Sequence, residues 1–363
     1  MKQVINLCGS EVKVKITDGP IPEPGAKQVL IKVIVSGSNP KDWKVPEFAA
    51  AYNGPDDGSV MAMSKAGVNQ GDDIAGIVEK VGEDVIEFKK GDSVAAFHEM
   101  GAPGGSYAEY ALAWDSTTFH IPTSKSFEEA ATIPLAALTA AVAVFRNLKL
   151  PTPWLPATTS TPFLVYGASS AVGSFAIKLA RNSNIHPIIA VAGKGTHYVE
   201  TLLDRTKGDV VFDYRNGADK TISQIRAHLK AGNYGEVKHG IDPGIGLPSQ
   251  KVLTEIVAPD GAINLVLPSN FDVGSATKTT TSVGIVHNQD NGGYSADGGD
   301  CRDLGFVTCR WFTKAWQAGT FEGHPFEVRH GGLEGVEQAL KDLKDGKQSA
   351  VKYVFRIADT PGI

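Results

Sequence analysis

Apolar and polar residues alternate along the first third of the chain. The alternation is clearest at residues 29–35, with a similar run at 12–16, and a further short run at 21–25 contains Pro and Gly residues. A period of two is typical of strands with one buried face. The pattern therefore predicts three strands in a compact β-rich domain.

Strongly apolar runs and helical patterns alternate in the middle of the chain. The apolar runs lie at 163–166, 186–192, 209–214 and 262–267, with helix candidates between them. Strands spaced by helices form a parallel, doubly wound sheet, whose ligands bind at the carboxyl ends of the strands. The expected fold class is therefore α/β, with a β-rich domain followed by a doubly wound one.

The last third of the chain predicts two helices, a strand and a polar loop. Apolar residues at helical spacing predict helices at 304–318 and 333–343, and the run 351–357 is typical of a strand. The polar segment 288–300 is either a lid or a plain loop. The candidate edge strand 281–286 contains a glycine, which only mildly disfavours pairing, so a monomer and a homodimer both stay open.

A turn of small residues joins the run 163–166 to a helical pattern. Its glycines, Gly167 and Gly173, flank Ser170, which stands where a second glycine is common and is able to cap the helix or meet a phosphate. Backbone N–H groups at a helix start suit a pyrophosphate, although an unrelated α/β protein can also contain such a turn. The expected pyrophosphate-binding residues are Gly167, Ser169, Ser170, Ala171, Val172 and Gly173.

Length, charge and composition exclude several classes of protein. The 363 residues suffice for two domains, and the net charge of -5 is spread out, which argues against a nucleic-acid binder. Three scattered cysteines are too few for a disulfide framework. No apolar run approaches the roughly 18 residues of a spanning helix, and no signal peptide stands at the N-terminus. We expect a cytoplasmic protein that binds neither nucleic acid nor membranes.

Several ordered segments resemble those of the medium-chain dehydrogenase/reductase superfamily. They lie at 71–82, 91–94, 105–110, 130–141 and 331–336, on both sides of the glycine turn. The resemblance covers nearly the whole chain. It implies a GroES-like β-rich catalytic domain and a Rossmann dinucleotide-binding domain.

The resemblance also implies that the catalytic domain is discontinuous, because the C-terminal part returns to it. The predicted catalytic domain contains residues 1–135 and 295–363, and the predicted Rossmann domain contains 136–294. The Pro- and Thr-rich segment 150–162 is interpreted as a surface insertion.

The zinc enzymes of this superfamily have a Cys, and then a His-Glu pair, at positions that here are Asn39, Asp72 and Asp73. Zinc favours thiolate and imidazole ligands, so we expect no catalytic zinc. His98 is interpreted as a polar loop residue. The chain resembles the zinc-independent branch, which contains quinone oxidoreductases and fungal trans-acting enoyl reductases, and its segment 39–44 is closest to the fungal members.

Coenzyme preference is predicted from charge. NAD sites usually place an acidic residue roughly 20 positions beyond the glycine turn, but residues 174–199 contain none, and Lys194 follows the second strand. NADPH is therefore expected, with Lys194 at the 2′-phosphate, unless it is a solvated loop lysine. Tyr214 is expected to stack on or flank the adenine, or to be a surface residue. Asp242 is expected to be structural or near the cofactor, and not a base.

A nicotinamide without a Lewis-acid metal implies hydride transfer to a conjugated acceptor, whose developing charge meets hydrogen-bond donors. The resemblance implies that Lys44 and Thr139 are these donors, supported by Asn39. Lys44 is otherwise a surface lysine. Thr139 otherwise caps a helix or holds the cofactor.

The expected function is NADPH-dependent reduction of an activated C=C bond, in an enone or an enoyl thioester. The alternatives are a quinone or aldehyde reductase, and an NADPH-binding protein with little turnover. The expected partner is a small-molecule substrate, including an acyl chain presented by a carrier or a synthase.

Overall fold

The described part of the chain divides into two units. The first unit contains Met1–Leu135 and Gly284–Ile363, and the second contains Ala136–Val283. The computed structural model describes residues 1–244, 246–287 and 299–363.

The sequence places the return to the first domain between residues 294 and 295. This position lies in 288–298, outside the described residues, so the predicted domain limits stay a prediction. Most of the predicted polar loop 288–300 lies outside them too, and its possible role as a lid is untested.

The elements follow one another in chain order as three groups. The first group is β1 (Lys2–Asn6), β2 (Val14–Asp18), β3 (Gln28–Gly37), α1 (Lys41–Ala51), α2 (Val60–Lys65), β4 (Asp73–Val81), β5 (Ser93–Phe97), β6 (Tyr110–Trp114), β7 (Thr118–His120), α3 (Phe127–Ala130) and α4 (Pro134–Ala141). The second group is β8 (Phe163–Tyr166), α5 (Ala171–Asn182), β9 (Ile188–Ala192), α6 (Thr196–Leu202), β10 (Val210–Asp213), α7 (Ala218–Gly232), β11 (Val237–Asp242), α8 (Leu247–Ile256), β12 (Val257–Leu265) and β13 (Thr277–Thr280). The last group is α9 (Gly299–Gln317), β14 (Phe326–Val328), α10 (Val336–Lys344) and β15 (Lys352–Arg356).

Strand β3 is the central strand of the first unit. The sheet order is β14-β15-β3-β4-β5-β7, and β6 pairs with β3 as well. The alternating residues Val29, Ile31 and Val33 point into one core, as the period-two pattern predicts. The prediction of a strand at 21–25 is wrong, because Pro22 and Pro24 lack the N–H groups that a strand ladder needs.

The sheet of the second unit is wholly parallel. Its order is β10-β9-β8-β11-β12-β13, so the strands run 3-2-1-4-5-6 when counted from β8. This order is typical of dinucleotide-binding domains. The predicted α/β fold class, with a β-rich domain and a doubly wound sheet, is confirmed.

The edge of this sheet differs from the predicted strand 281–286. The edge strand is β13, which pairs with β12, and residues Val283–His287 form a 3₁₀ turn instead. The Thr281 hydroxyl donates to Asn264 Oδ1 at 2.9 Å, and its N–H donates to the Leu265 carbonyl at 2.8 Å. These bonds hold the chain against the end of β12, where the ladder stops.

One helical run, Phe127–Asn147, is long and apolar enough to cross a membrane by length and composition, with a mean hydropathy of 1.4. The sequence expectation overlooked this run. Its most apolar window is 83% buried inside the protein, which is typical of a helix in a protein core.

Candidate active site

The carboxyl ends of β8, β9, β10 and β11 lie at one edge of the parallel sheet. The residues that follow these strands include all those predicted to bind the cofactor. They are Gly167, Ser169, Ser170, Ala171, Val172 and Gly173 after β8, Lys194 after β9, and Tyr214 after β10, while Asp242 ends β11. The structure thus collects them at the edge where such sheets bind ligands. Their contact with a cofactor stays a prediction.

The glycine turn fixes the conformation of the chain at the start of α5. Gly167 has a φ of +69°, a left-handed conformation that favours glycine. The Ser170 hydroxyl donates to the Gly167 carbonyl at 2.8 Å and accepts from the Gly173 N–H at 3.1 Å. Of the two roles predicted for Ser170, the structure shows the helix cap. A Cβ on Gly173 would lie 2.4 Å from the Gly167 oxygen, so only glycine lets helix and strand approach this closely.

Tyr214 lies against the same edge. Its ring stacks on Tyr166 with centroids 6.0 Å apart, and a Cβ on Gly193 would lie 2.7 Å from it. Burial raises the pKa of Tyr166 to about 12, and Asp242 and Tyr214 add to the shift. The Tyr166 ring is therefore neutral at neutral pH. The neighbouring Arg215 forms an ion pair with the carboxylate of Asp213.

Lys194 and Asp242 differ in exposure and in the number of their side-chain contacts. Lys194 is exposed and makes no ion pair with any residue that the structure describes. Asp242 is buried, accepts from the Gly244 N–H at 2.9 Å and from the Ser249 hydroxyl, and so shapes the loop after β11. These bonds favour the structural role for Asp242.

The first unit contains a buried cluster of charges at the start of β4. The carboxylate of Asp73 binds the ammonium of Lys352, accepts from Asn39 Nδ2 at 2.7 Å, and accepts from the Leu135 N–H at 2.7 Å. Lys352 also donates to Asn39 Oδ1 at 3.0 Å. Both ends of the Asn39 amide are therefore engaged inside this unit, which limits its predicted role as a supporting donor.

Asp72, the neighbour of Asp73, is paired separately. Its carboxylate binds the ammonium of Lys41 and lies 2.9 Å from His98 Nδ1. Burial alone would raise the pKa of Asp72, but Lys41 and His98 outweigh it and lower that pKa. His98 lies in the loop after β5, as predicted, but it is buried against Asp72. That partner stands 26 positions away, beyond the reach of a local pattern.

Asp42 is the third buried carboxyl group of the cluster. It accepts from the Tyr107 hydroxyl at 2.6 Å and from the Asn39 N–H at 2.7 Å, and Lys41 lies 3.3 Å away. Burial raises the pKa of Asp42 to about 7; Lys41 opposes this shift and Asp72 adds to it. The sequence analysis missed Asp42, Tyr107 and Lys41, because their contacts form only in the folded unit.

Lys44 differs from the other lysines of this region. Its Nζ lies 5.5 Å from the ring centre of Trp43 and forms no hydrogen bond or ion pair with the described residues. Partial burial lowers its pKa. An ammonium without a counter-charge suits a donor to developing negative charge.

The three predicted donors are divided between the two units. Asn39 and Lys44 belong to the first unit, and Thr139, buried on α4, belongs to the second. Their assembly around one substrate stays a prediction.

The residues of the cluster do not fit a catalytic zinc. Asn39, Asp72 and Asp73 offer oxygen and amide groups, and Lys41 and Lys352 already neutralise the two carboxylates. Within the described ranges no three His, Cys, Asp or Glu side chains are grouped to hold a metal ion.

A parallel sheet of this order, with its glycine turn, is typical of a dinucleotide-binding domain, and here it stands in a chain that also contains a β-rich unit. Residues 25–123 match the family model of the alcohol dehydrogenase GroES-like domain. A trans-enoyl reductase of Gibberella fujikuroi is 39% identical over an alignment of 341 residues that covers 92% of this chain and 92% of its own. One of Aspergillus sclerotiorum is 29% identical over 98% of this chain and 100% of its own.

Solved structures agree on the fold. The quinone oxidoreductase of Coxiella burnetii has a TM-score of 0.68 and 22% identity, and covers 98% of this chain and 99% of its own. The CurK enoyl reductase has a TM-score of 0.69 and 19% identity, and covers 97% and 98%. The chain belongs to the medium-chain dehydrogenase/reductase superfamily, in the group that contains the fungal trans-enoyl reductases. The resemblance stated from the sequence is confirmed.

Asp42 predicts a pH dependence of stability. The pKa of Asp42 in the folded chain, about 7, lies above its ordinary value of 3.8, so between these pH values the folded chain holds a proton that the unfolded chain has lost. Its contribution to stability therefore falls as pH rises through this window. In urea unfolding, we expect the free energy of unfolding of the wild type, relative to Asp42→Asn, to decrease from about pH 4 to about pH 7.

The exposed Asp56 gives the control, since Asp56→Asn removes a carboxylate that is not buried. A difference between wild type and Asp42→Asn that stays constant across the window would contradict the assignment.

Proposed function

We propose that this protein is an NADPH-dependent reductase of an activated C=C bond in an enone or an enoyl thioester, and that it works without a metal. The similarity to trans-enoyl reductases over nearly the whole chain carries the proposal. The uncompensated Lys44 and the acid-free segment 174–199 support it.

NADPH, which the glycine turn and Lys194 would hold, would supply the hydride that the carbon β to the acceptor's carbonyl group receives. Negative charge then develops on the carbonyl oxygen. In this proposal Lys44 donates a hydrogen bond to that oxygen, and its lowered pKa makes the release of its proton easier. Either Lys44 or solvent protonates the α-carbon. Thr139 either donates to the same oxygen or holds the cofactor.

The substrate class is tested with the protein, NADPH and a panel of acceptors. We expect an enoyl thioester or an enone to give the highest kcat/KM, measured by loss of NADPH absorbance, because conjugation stabilises the developing enolate. Higher activity with a quinone or an aldehyde would favour the alternative reductase. NADPH binding with no oxidation by any acceptor would leave only a binding protein.

Lys44→Met is expected to lower kcat about a hundredfold, the usual effect of losing one donor to a developing oxyanion. NADPH affinity should stay unchanged, and Lys44→Arg should keep part of the activity because it keeps the charge. The matched control is Lys65→Met, another helical lysine, which lies 5.6 Å from the ring centre of Tyr52. Equal losses in both Met variants would remove Lys44 from the mechanism.

NADPH preference is assigned to Lys194. Lys194→Ala should weaken NADPH binding about tenfold or more, the effect of losing a charge-assisted bond to phosphate, and leave NADH binding nearly unchanged. Lys220→Ala, an exposed lysine of α7, is the control. Fluorescence titration gives both dissociation constants, and an equal change for the two coenzymes would show that Lys194 does not contact the 2′-phosphate.

The substrate is expected to include acyl chains presented by a carrier or a synthase. Their conjugated thioesters are acceptors of the chemistry proposed above, and the curated relatives are named for the reduction of enoyl groups.

A further inference from the structure

Lys352 supplies a positive charge inside the first unit. It begins β15, and its side chain is only 4% exposed. Its Nζ contacts the carboxylate of Asp73, lies 3.0 Å from Asn39 Oδ1 and lies 3.5 Å from the Thr132 carbonyl. Three oxygen atoms from three separate segments therefore surround one ammonium.

We propose that Lys352 is a built-in cation that positions the donor loop 38–44 and the start of α4, in the place of the metal that related dehydrogenases use. The inference rests on the proposed reductase function. Lys352 is a positioning residue in it, because it acts through Asn39 and Asp73 and not on the substrate.

The contacts of Asn39 connect this cation to the donor loop. Lys352 holds its Oδ1, Asp73 holds its Nδ2, and its backbone N–H donates to Asp42 at 2.7 Å. Helix α1 begins two residues later, at Lys41, and contains Lys44. An ammonium that fixes Asn39 therefore fixes the chain that leads directly into the helix of the donor.

The contacts of Asp73 connect the same cation to α4. While one carboxylate oxygen binds Lys352, the other accepts from the Leu135 N–H at 2.7 Å, in the first turn of that helix. The Thr132 carbonyl is held from the other side. Without the ammonium, a carboxylate with no exposed surface would lose its counter-charge, which is strongly unfavourable.

The same geometry explains why these residues do not fit a zinc ion. A metal ion between Asn39 and Asp73 would meet the ammonium of Lys352 within hydrogen-bonding distance of the same oxygens. Lys41 likewise neutralises Asp72. The charge that a metal would bring to these carboxylates is already present in the side chains.

The test removes the ammonium of Lys352 by mutation and then adds a small ammonium ion to the solution. In Lys352→Ala we expect Tm to fall by about 6 °C or more, because a buried carboxylate is left unpaired. Ethylammonium, which donates hydrogen bonds, should restore part of the loss by binding the folded state. Tetramethylammonium at the same concentration has no N–H group and should not.

Hydrogen exchange reports on position independently of catalysis. In Lys352→Ala, peptides that contain Asn39 and Leu135 should exchange faster, since both N–H groups donate to carboxylates of this cluster. Ethylammonium should slow them again, while a peptide of β9 in the second unit should not change. Unchanged exchange at both peptides, or equal recovery with both salts, would overturn the proposal.

The last measurement is the reductase activity of Lys352→Ala. We expect kcat of Lys352→Ala to fall about tenfold to a hundredfold with NADPH affinity unchanged, as misplacement of a donor does, and to recover with ethylammonium. Lys80→Ala is the matched control, because Lys80 forms an exposed ion pair with Glu23 from the same strand as Asp73. If the wild type were inactive with every acceptor, the reductase function would be refuted. The Tm and hydrogen-exchange measurements would still test whether Lys352 positions the donor loop and α4.

A second variant covers the case in which Lys352→Ala does not fold. Lys352→Met with Asp73→Asn removes both charges and leaves no unpaired ion. We expect this double variant to fold and to lose about tenfold or more of kcat, because the ammonium that orients Asn39 is gone. Full kcat in the double variant would overturn the positioning role. Elemental analysis should find no stoichiometric zinc in the wild type, and one tightly held zinc per chain would equally overturn it.

Discussion

Two adjacent buried aspartates impose the constraint on which the first unit depends. Asp72 and Asp73 stand at the start of β4, and neither has exposed surface. A buried carboxylate is tolerated only when it is paired and hydrogen-bonded. Lys41 pairs with one and Lys352 with the other, so two lysines from distant parts of the chain must converge on one strand end. The donor loop 38–44 is held by this convergence.

The second unit depends on a different constraint, the direction of its strands. Because all of its six strands are parallel, every carboxyl end faces one edge, and the segments that follow them meet there. The close approach at Gly173 and the cap at Ser170 then direct the first N–H groups of α5 into that edge. The proposed cofactor site thus rests on backbone geometry, whereas the proposed donor chemistry of the first unit rests on side-chain charge.

This difference explains what the sequence predicts and what it does not. The strands at 29–35 and 163–166 and the glycine turn follow from local periodicity and turn chemistry, which a window of ten residues contains. The pairing of Asp73 with Lys352 cannot be predicted from such a window, because Lys352 lies 279 positions away and stands in an ordinary strand pattern. Asn39 was identified as important for its place in the loop, but its actual partners become visible only when β4 and β15 are assembled.

Two lysines of one helix show how the same residue type acquires opposite properties. Lys41 and Lys44 lie three positions apart at the start of α1. Burial disfavours the charge of Lys41, but Asp72 and Asp42 outweigh it and raise its pKa, so its proton is held firmly. Lys44 has no such carboxylate, and burial lowers its pKa. The cluster thus pairs the ammonium of Lys41 with carboxylates and leaves that of Lys44 without one among the described residues. This difference agrees with the donor role proposed for Lys44.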